Sequence, residues 1–232
     1  MTTFNFGDLS KVSAVNTSKY LKPWEIYEVK FNGIEQVDIA NKNDESNPYK
    51  TVAISFGGKD GNFTKNLFIP QTEDDKIRPE YSSKDGKKIS YPSRYEDFIY
   101  TLLQLAQVLN PDGYTKMMAN ISKCKTINDF IKLASTVINA KKGVETHLKL
   151  TGRNSNGRVY ADIPRVCSVN RDGEIWVSNN FVGDNLEFTA YEVQQAKAYH
   201  DAAPTDMSML ETADNPDKTD SDDIDFDSLV EL

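Results

Sequence analysis

The charge of this chain is segregated along its length, and that segregation decides which residues can build a core. Between Pro204 and Leu232 stand ten acidic side chains and a single base, Lys218, a net of −9. Such a stretch repels itself and offers few large apolar groups, so burial there cannot offset the entropy lost on ordering. A packed domain is expected over 1–203, with 204–232 as a disordered acidic tail. The chain has 27 Lys+Arg and 35 Asp+Glu, so setting the tail aside leaves 26 bases and 25 acids, a body near +1. The overall charge of −8 is a property of the tail.

Some 200 residues suit one domain of ordinary size. Residues 24–32 alternate and are rich in β-formers, as a strand requires. Residues 49–57 and 62–69 read as a second pair around Gly58-Lys59-Asp60-Gly61, a turn suited to positive φ. A polar stretch from Pro70 to Pro92 is too long for a tight connection. Two helices follow. Ser93 and Glu96 form a capping box ahead of Phe98, Ile99, Leu102, Leu103, Ala106 and Leu109 at helical spacing. Pro111 opens a short turn through Met118. Thr126 and Asp129 then cap Ile127, Phe130, Ile131, Ala134, Val137 and Ile138. Strands are expected again at 145–152, 157–163, 165–169, 174–178 and 186–190, and a last helix from Tyr191 to Asp201. Strands, a helical insert over about 93–142, then strands predict an α+β, mainly β chain. That order suits an OB-fold-like Greek-key barrel with a helical insertion, and no alternating βαβ pattern suggests a parallel sheet.

Catalytic and metal signatures are sparse. The two histidines, His147 and His200, lie near no cysteine or carboxylate at metal-ligand spacing, and Cys124 and Cys167 form no C-x-x-C pair. Gly57, Gly58 and Gly61 lack the order that cradles phosphates, and no G-x-S-x-G elbow occurs. The expectation is a non-enzyme without cofactor or metal. No apolar run approaches the roughly 18 residues of a membrane span, and no secretory leader is visible. Two unrelated cysteines fit buried thiols in a reducing compartment, so a cytoplasmic protein without membrane contact is expected.

What remains is binding chemistry. Rings and cations interleave along the predicted strands: Trp24, Tyr27, Lys30, Phe31, Tyr49, Lys50, Phe56, Phe63, Lys65 and Phe68, then Lys149, Arg153, Arg158, Tyr160, Arg165, Arg171 and Trp176. A groove for single-stranded nucleic acid needs cations along the phosphates and rings on which bases stack. Strand aromatics are ordinarily core and strand lysines ordinarily solvated, so each residue alone has an ordinary explanation. The candidate nucleic-acid contacts are Lys30, Lys50, Lys65, Tyr81, Lys87, Lys88, Arg94, Lys149, Arg153, Arg158, Tyr160, Arg165 and Trp176. The tail ends in an apolar tip set among acids, and Asp222, Asp223, Ile224, Asp225, Phe226, Asp227, Leu229 and Leu232 form a candidate docking peptide for a partner protein.

An OB-like body with an acidic, apolar-tipped tail resembles single-stranded-DNA-binding proteins of bacteria and tailed phages. The segment KYLKPWEIYEVKFNG, Lys19 to Gly33, is similar to proteins of this kind in crAss-like phages. The resemblance implies DNA coating in replication, recombination and repair, in a host cytoplasm if phage-encoded, with Asp222 to Leu232 recruiting replication or recombination proteins. The tail departs from the bacterial pattern, which ends in Pro-Phe, because Phe226 is internal and Leu232 is last. A phage structural or packaged virion protein with no nucleic-acid role stays open as the alternative. On the DNA-binding reading the tail competes with DNA for the groove. Removing residues 204–232 is therefore expected to raise affinity for oligo-dT, most at low salt. Loss of binding in the truncated chain, measured by fluorescence titration, counts against it.

Overall fold

A computed structural model describes residues 19–42, 44, 46–82 and 86–202. The tail and its tip, Asp222 to Leu232, lie outside the described residues. Within them the chain is α+β, mainly β. Strands β1 (Glu25–Ile39), β2 (Tyr49–Gly58) and β3 (Gly61–Phe68) come first, then a small hairpin, β4 (Glu80–Ser82) with β5 (Lys88–Ser90). Helices α1 (Arg94–Leu109), α2 (Pro111–Asn120) and α3 (Ile127–Asn139) follow. The chain then forms β6 (Glu145–Ser155), β7 (Arg158–Asp162), a second small hairpin of β8 (Cys167–Val169) and β9 (Ile175–Val177), and α4 (Ala190–Ala202).

The main sheet is antiparallel, in the order β3-β2-β1-β6-β7. Its centre is β1, which serves two ladders: Glu25–Lys30 pair with β6, and Lys30–Ile39 pair with β2. The register shifts between Phe31 and Gly33, a bulge that bends the strand. Gly33 holds φ +117, and any Cβ there would run into the Lys142 side chain. Asn139, the last residue of α3, fixes the bend by exchanging two hydrogen bonds with Ile34: the Ile34 N–H donates to Oδ1 (2.8 Å) and Nδ2 donates to the Ile34 carbonyl (2.9 Å).

Inward residues follow the pleat. Phe31, Ile54, Phe56, Leu148 and Leu150 are buried, and Phe31 meets Phe56 at 5.5 Å. The helices close this core with Leu102, Leu105 and Ala106 of α1, Met117 of α2, and Phe130, Ile131, Ala134 and Ile138 of α3. Both expected capping boxes are present, Ser93 with Glu96 and Thr126 with Asp129. The β6–β7 turn, Asn156-Gly157, has φ values of 50 and 74, the two positive values a type I′ turn needs.

Three expectations need correction. The first strand continues to Ile39 rather than stopping near 32, because the bulge absorbs Gly33. The Pro70–Pro92 excursion contains the β4–β5 hairpin. Residues 186–190 form no strand: Thr189 accepts from the Glu192 N–H (3.2 Å) while the Glu192 carboxylate accepts from the Thr189 N–H (2.8 Å), so this segment caps α4.

The same Glu192 ties α4 to the sheet. Lys149 of β6 is 2% exposed, and its ammonium donates to both Glu192 oxygens (3.1 and 3.3 Å) and to the Glu187 carbonyl (3.0 Å). Removing one partner of a buried pair strands the other charge. Lys149→Ala is expected to cost roughly 3–5 kcal/mol in urea unfolding. The neutral combination Lys149→Met with Glu192→Gln is expected to recover most of that loss. A Lys149→Ala cost near zero would show that the pair does not secure α4.

Candidate nucleic-acid interface

The outer face of β2 and β3 is set by register. Val52, Ile54 and Phe56 point into the core, so Tyr49, Thr51 and Ser55 lie on the opposite face. Directly paired residues share a face, which places Phe68 beside Thr51 and Thr64 beside Ser55. Thr51 donates its hydroxyl to the Val37 carbonyl (2.9 Å), and the Ser55 and Thr64 hydroxyls meet at 3.2 Å. Thr51 on this row is itself buried, and beside it two rings stand out: Tyr49 and Phe68 pack edge to face, centroids 5.6 Å apart, while remaining 42% and 61% exposed. A solvent-exposed aromatic pair on a sheet face is a ready platform for a planar ligand.

Both rings belong to the interleaved series in the sequence but not to the candidate set. The signal that finds them is parity. Tyr49 is out of phase with Val52, Ile54 and Phe56, and Phe68 is out of phase with Phe63, so neither belongs to the inward row.

The candidate cations are mostly engaged with acids. Lys30 pairs with Glu145 (3.5 Å) and Lys88 with Glu80 (3.3 Å) at solvent-exposed positions where such pairs contribute little, and the exposed Arg94 reaches the mostly covered Asp75 (3.8 Å). Lys65 is held by Asp162 at 2.5 Å and is mostly covered, and Arg153 approaches the other oxygen of Asp162 at 3.5 Å. Lys149 is withdrawn from any phosphate, because it is buried against Glu192 under α4. Lys50 is exposed but alternates with Tyr49 along β2 and so points to the other face of the sheet, and Arg158 is exposed at the start of β7. Tyr160 sits directly opposite Arg153 and is 47% exposed. On the small hairpins, Tyr81 packs against Tyr91 (5.3 Å), Arg165 stands over the Tyr91 ring (5.7 Å), and Lys87 and Trp176 are exposed. The candidates therefore divide among the main sheet, the β6–β7 hairpin and the small hairpins rather than forming one basic groove.

Two hollows flank these elements. One, of about 780 Å3, lies over β1, the β2–β3 turn and the start of β6. Its two lysines face acids, Lys30 with Glu145 and Lys59 with Glu28 (3.5 Å), and Asp184 adds a third carboxylate beside His147 (3.7 Å), so it is close to charge-balanced and ill suited to a polyanion. The other, of about 570 Å3, lies between α4 and the β6–β7 hairpin. Among the described residues no group of three or more His, Cys, Asp or Glu is placed to hold a metal ion, and no helix is long and apolar enough to cross a membrane.

Between β3 and β7, the edges of the main sheet, lies a small charged cluster. Asp97 of α1 is pushed up from the ordinary aspartate range by burial, partly offset by the positive charges of Arg165 and Lys65 and reinforced by Asp162. Cys167 donates to Asp97 Oδ1 (3.9 Å), and burial together with that carboxylate pushes its thiol up to about 12, so it stays a protonated, unreactive thiol.

No protein-family model, curated protein or solved structure matches this chain.

The raised pKa of Asp97 fixes the sign of a pH effect. Between the ordinary aspartate value and its higher folded value, the native state holds more protons than the unfolded state, so stability falls as pH rises through that window. Asp97→Asn removes this contribution. The stability of the wild type relative to Asp97→Asn, from urea midpoints at several pH values, is expected to decline from acid toward neutrality. A constant difference would contradict the assignment.

Proposed function

We propose that this chain is a non-enzymatic, sequence-nonspecific single-stranded-DNA-binding protein built on an OB-like barrel. The connectivity supports the barrel reading: a three-strand meander, a helical insertion, then a hairpin returning to the free side of β1. The Lys65–Asp162 pair joins the two strands that would meet at closure. In such barrels the face of the second and third strands, with the loops beside it, receives oligonucleotides.

The observation that carries the DNA reading is the exposed Tyr49–Phe68 pair on that face. Both rings keep much of their surface in solvent, and stacking on a base is indifferent to sequence. With most candidate cations already paired, stacking contributes more than charge. On this reading the protein coats DNA during phage replication, recombination and repair. The tail competes for the DNA face, and its tip recruits replication or recombination proteins.

Tyr49→Ala and Phe68→Ala are each expected to weaken oligo-dT binding roughly 5- to 150-fold, the equivalent of about 1–3 kcal/mol per stacked base. Fluorescence anisotropy reads the affinity and far-UV circular dichroism checks the fold. A folded double variant binding like the wild type would remove this face from the function.

A further inference from the structure

The hollow between α4 and the β6–β7 hairpin has a composition distinct from the charge-balanced one over β1. At about 570 Å3 it is within the usual range for small-ligand sites. Gln195 and Tyr199 stand four residues apart on α4, so they share one helix face, and both line the hollow. Trp24 and Asn154 line it from the barrel side, and Arg165 completes the wall. These side chains supply the three kinds of contact that one nucleotide needs. Trp24 and Tyr199 are ring surfaces for a base, Asn154 and Gln195 are amides that both donate and accept along a base edge, and Arg165 is a cation for phosphate.

Trp24 is held here by unusual means. It adopts φ 64, a left-handed conformation that a bulky residue rarely takes and that clusters at functional positions. Its indole lies against Gly152 of β6, where an added Cβ would collide with Nε1 and fall 2.6 Å from Cε2. The ring is only partly buried. A residue serving the core alone would be expected to bury its ring fully from an unstrained backbone.

We infer that this cleft is a slot for a single nucleobase of the bound strand, with Trp24 as its stacking surface and α4 as its opposite wall. The slot rests on the DNA-binding reading and adds a second contact region to the Tyr49–Phe68 face. Its placement gives the Lys149–Glu192 pair a role beyond stability, because that pair holds Glu192 and the first turn of α4 against β6.

The test uses the full chain with oligo-dT carrying a single 5-iodouracil. After irradiation, mass spectrometry is expected to find cross-links on Trp24 or Tyr199. Gly152→Ala, whose methyl group displaces the indole, is expected to weaken oligo-dT binding at least fivefold. Cross-links confined to Tyr49, Phe68 and the small hairpins, with wild-type oligonucleotide affinity retained, would overturn the slot and leave the DNA-binding reading intact. Absence of any oligonucleotide binding by the wild type would overturn the DNA-binding reading, and the slot with it. The cross-link map needs no variant, so misfolding of Gly152→Ala would not obscure the result.

Discussion

The bend in β1 is the constraint from which the rest of the architecture follows. One strand is hydrogen-bonded to β6 through its first six residues and to β2 through the remainder. A straight strand would carry both partners along a flat ribbon. The bulge at Gly33 turns it, and the turn brings the end of α3 close enough for Asn139 to take the place of a strand partner for Ile34. The Gly143 N–H donates to the Phe31 carbonyl (2.7 Å), so the chain leaving α3 is already docked beside β1 where β6 begins. A side chain at residue 33 would meet both an unfavourable φ and the Lys142 chain. One position without a Cβ thus links the helical insertion to both halves of the sheet.

The edges of that sheet present a second problem, because among the described residues β3 is covered only at Asn62, by Lys19 and Leu21, and β7 by no further strand of the sheet. An inward charge is a common means of protecting such an edge. Here Lys65 projects from β3 and Asp162 from β7, and Asp162 also accepts from the Ile163 N–H (2.8 Å). Asp97 adds a further carboxylate behind this seam, and burial, with a smaller contribution from the Asp162 charge, holds its pKa above the ordinary aspartate range. Lys65 and Arg153, which the sequence offers as phosphate contacts, are thereby drawn toward the seam. Among the described residues, the ring pair and a few separated cations are left facing solvent.

Local signals in the sequence carried over to the structure well. Ser93-x-x-Glu96 and Thr126-x-x-Asp129 start the helices they were expected to start, because a capping box is satisfied within four residues. Asn156-Gly157 makes its turn for the same local reason. Features that depend on distant partners were not legible. Lys149 reads as an exposed strand lysine until Glu192, 43 residues later, is packed onto it. Gly33 reads as the end of a strand until Asn139 and Lys142 fill the bend. The segment 186–190 has the composition of a strand, but Thr189-x-x-Glu192 is itself a capping box and takes precedence. The exposed rings were legible in part: alternation reveals the parity of Tyr49 and Phe68, but only the register of β2 against β3 brings them into contact.

The distribution of charge bears on how the acidic segment would act under the DNA-binding reading. If the face were a continuous basic groove, phosphates and tail carboxylates would contend for many cations, and DNA would win or lose largely by charge density. With the cations scattered and mostly paired, an anionic segment can neutralise much of the remaining charge while leaving the rings unoccupied. Screening by salt weakens such neutralisation, since it acts between exposed charges, but hardly affects stacking. The tail then sets how readily a strand is captured, and the rings set how firmly it is held. That division assigns capture and retention to different parts of the chain, so substitutions in one are expected to leave the other largely unchanged.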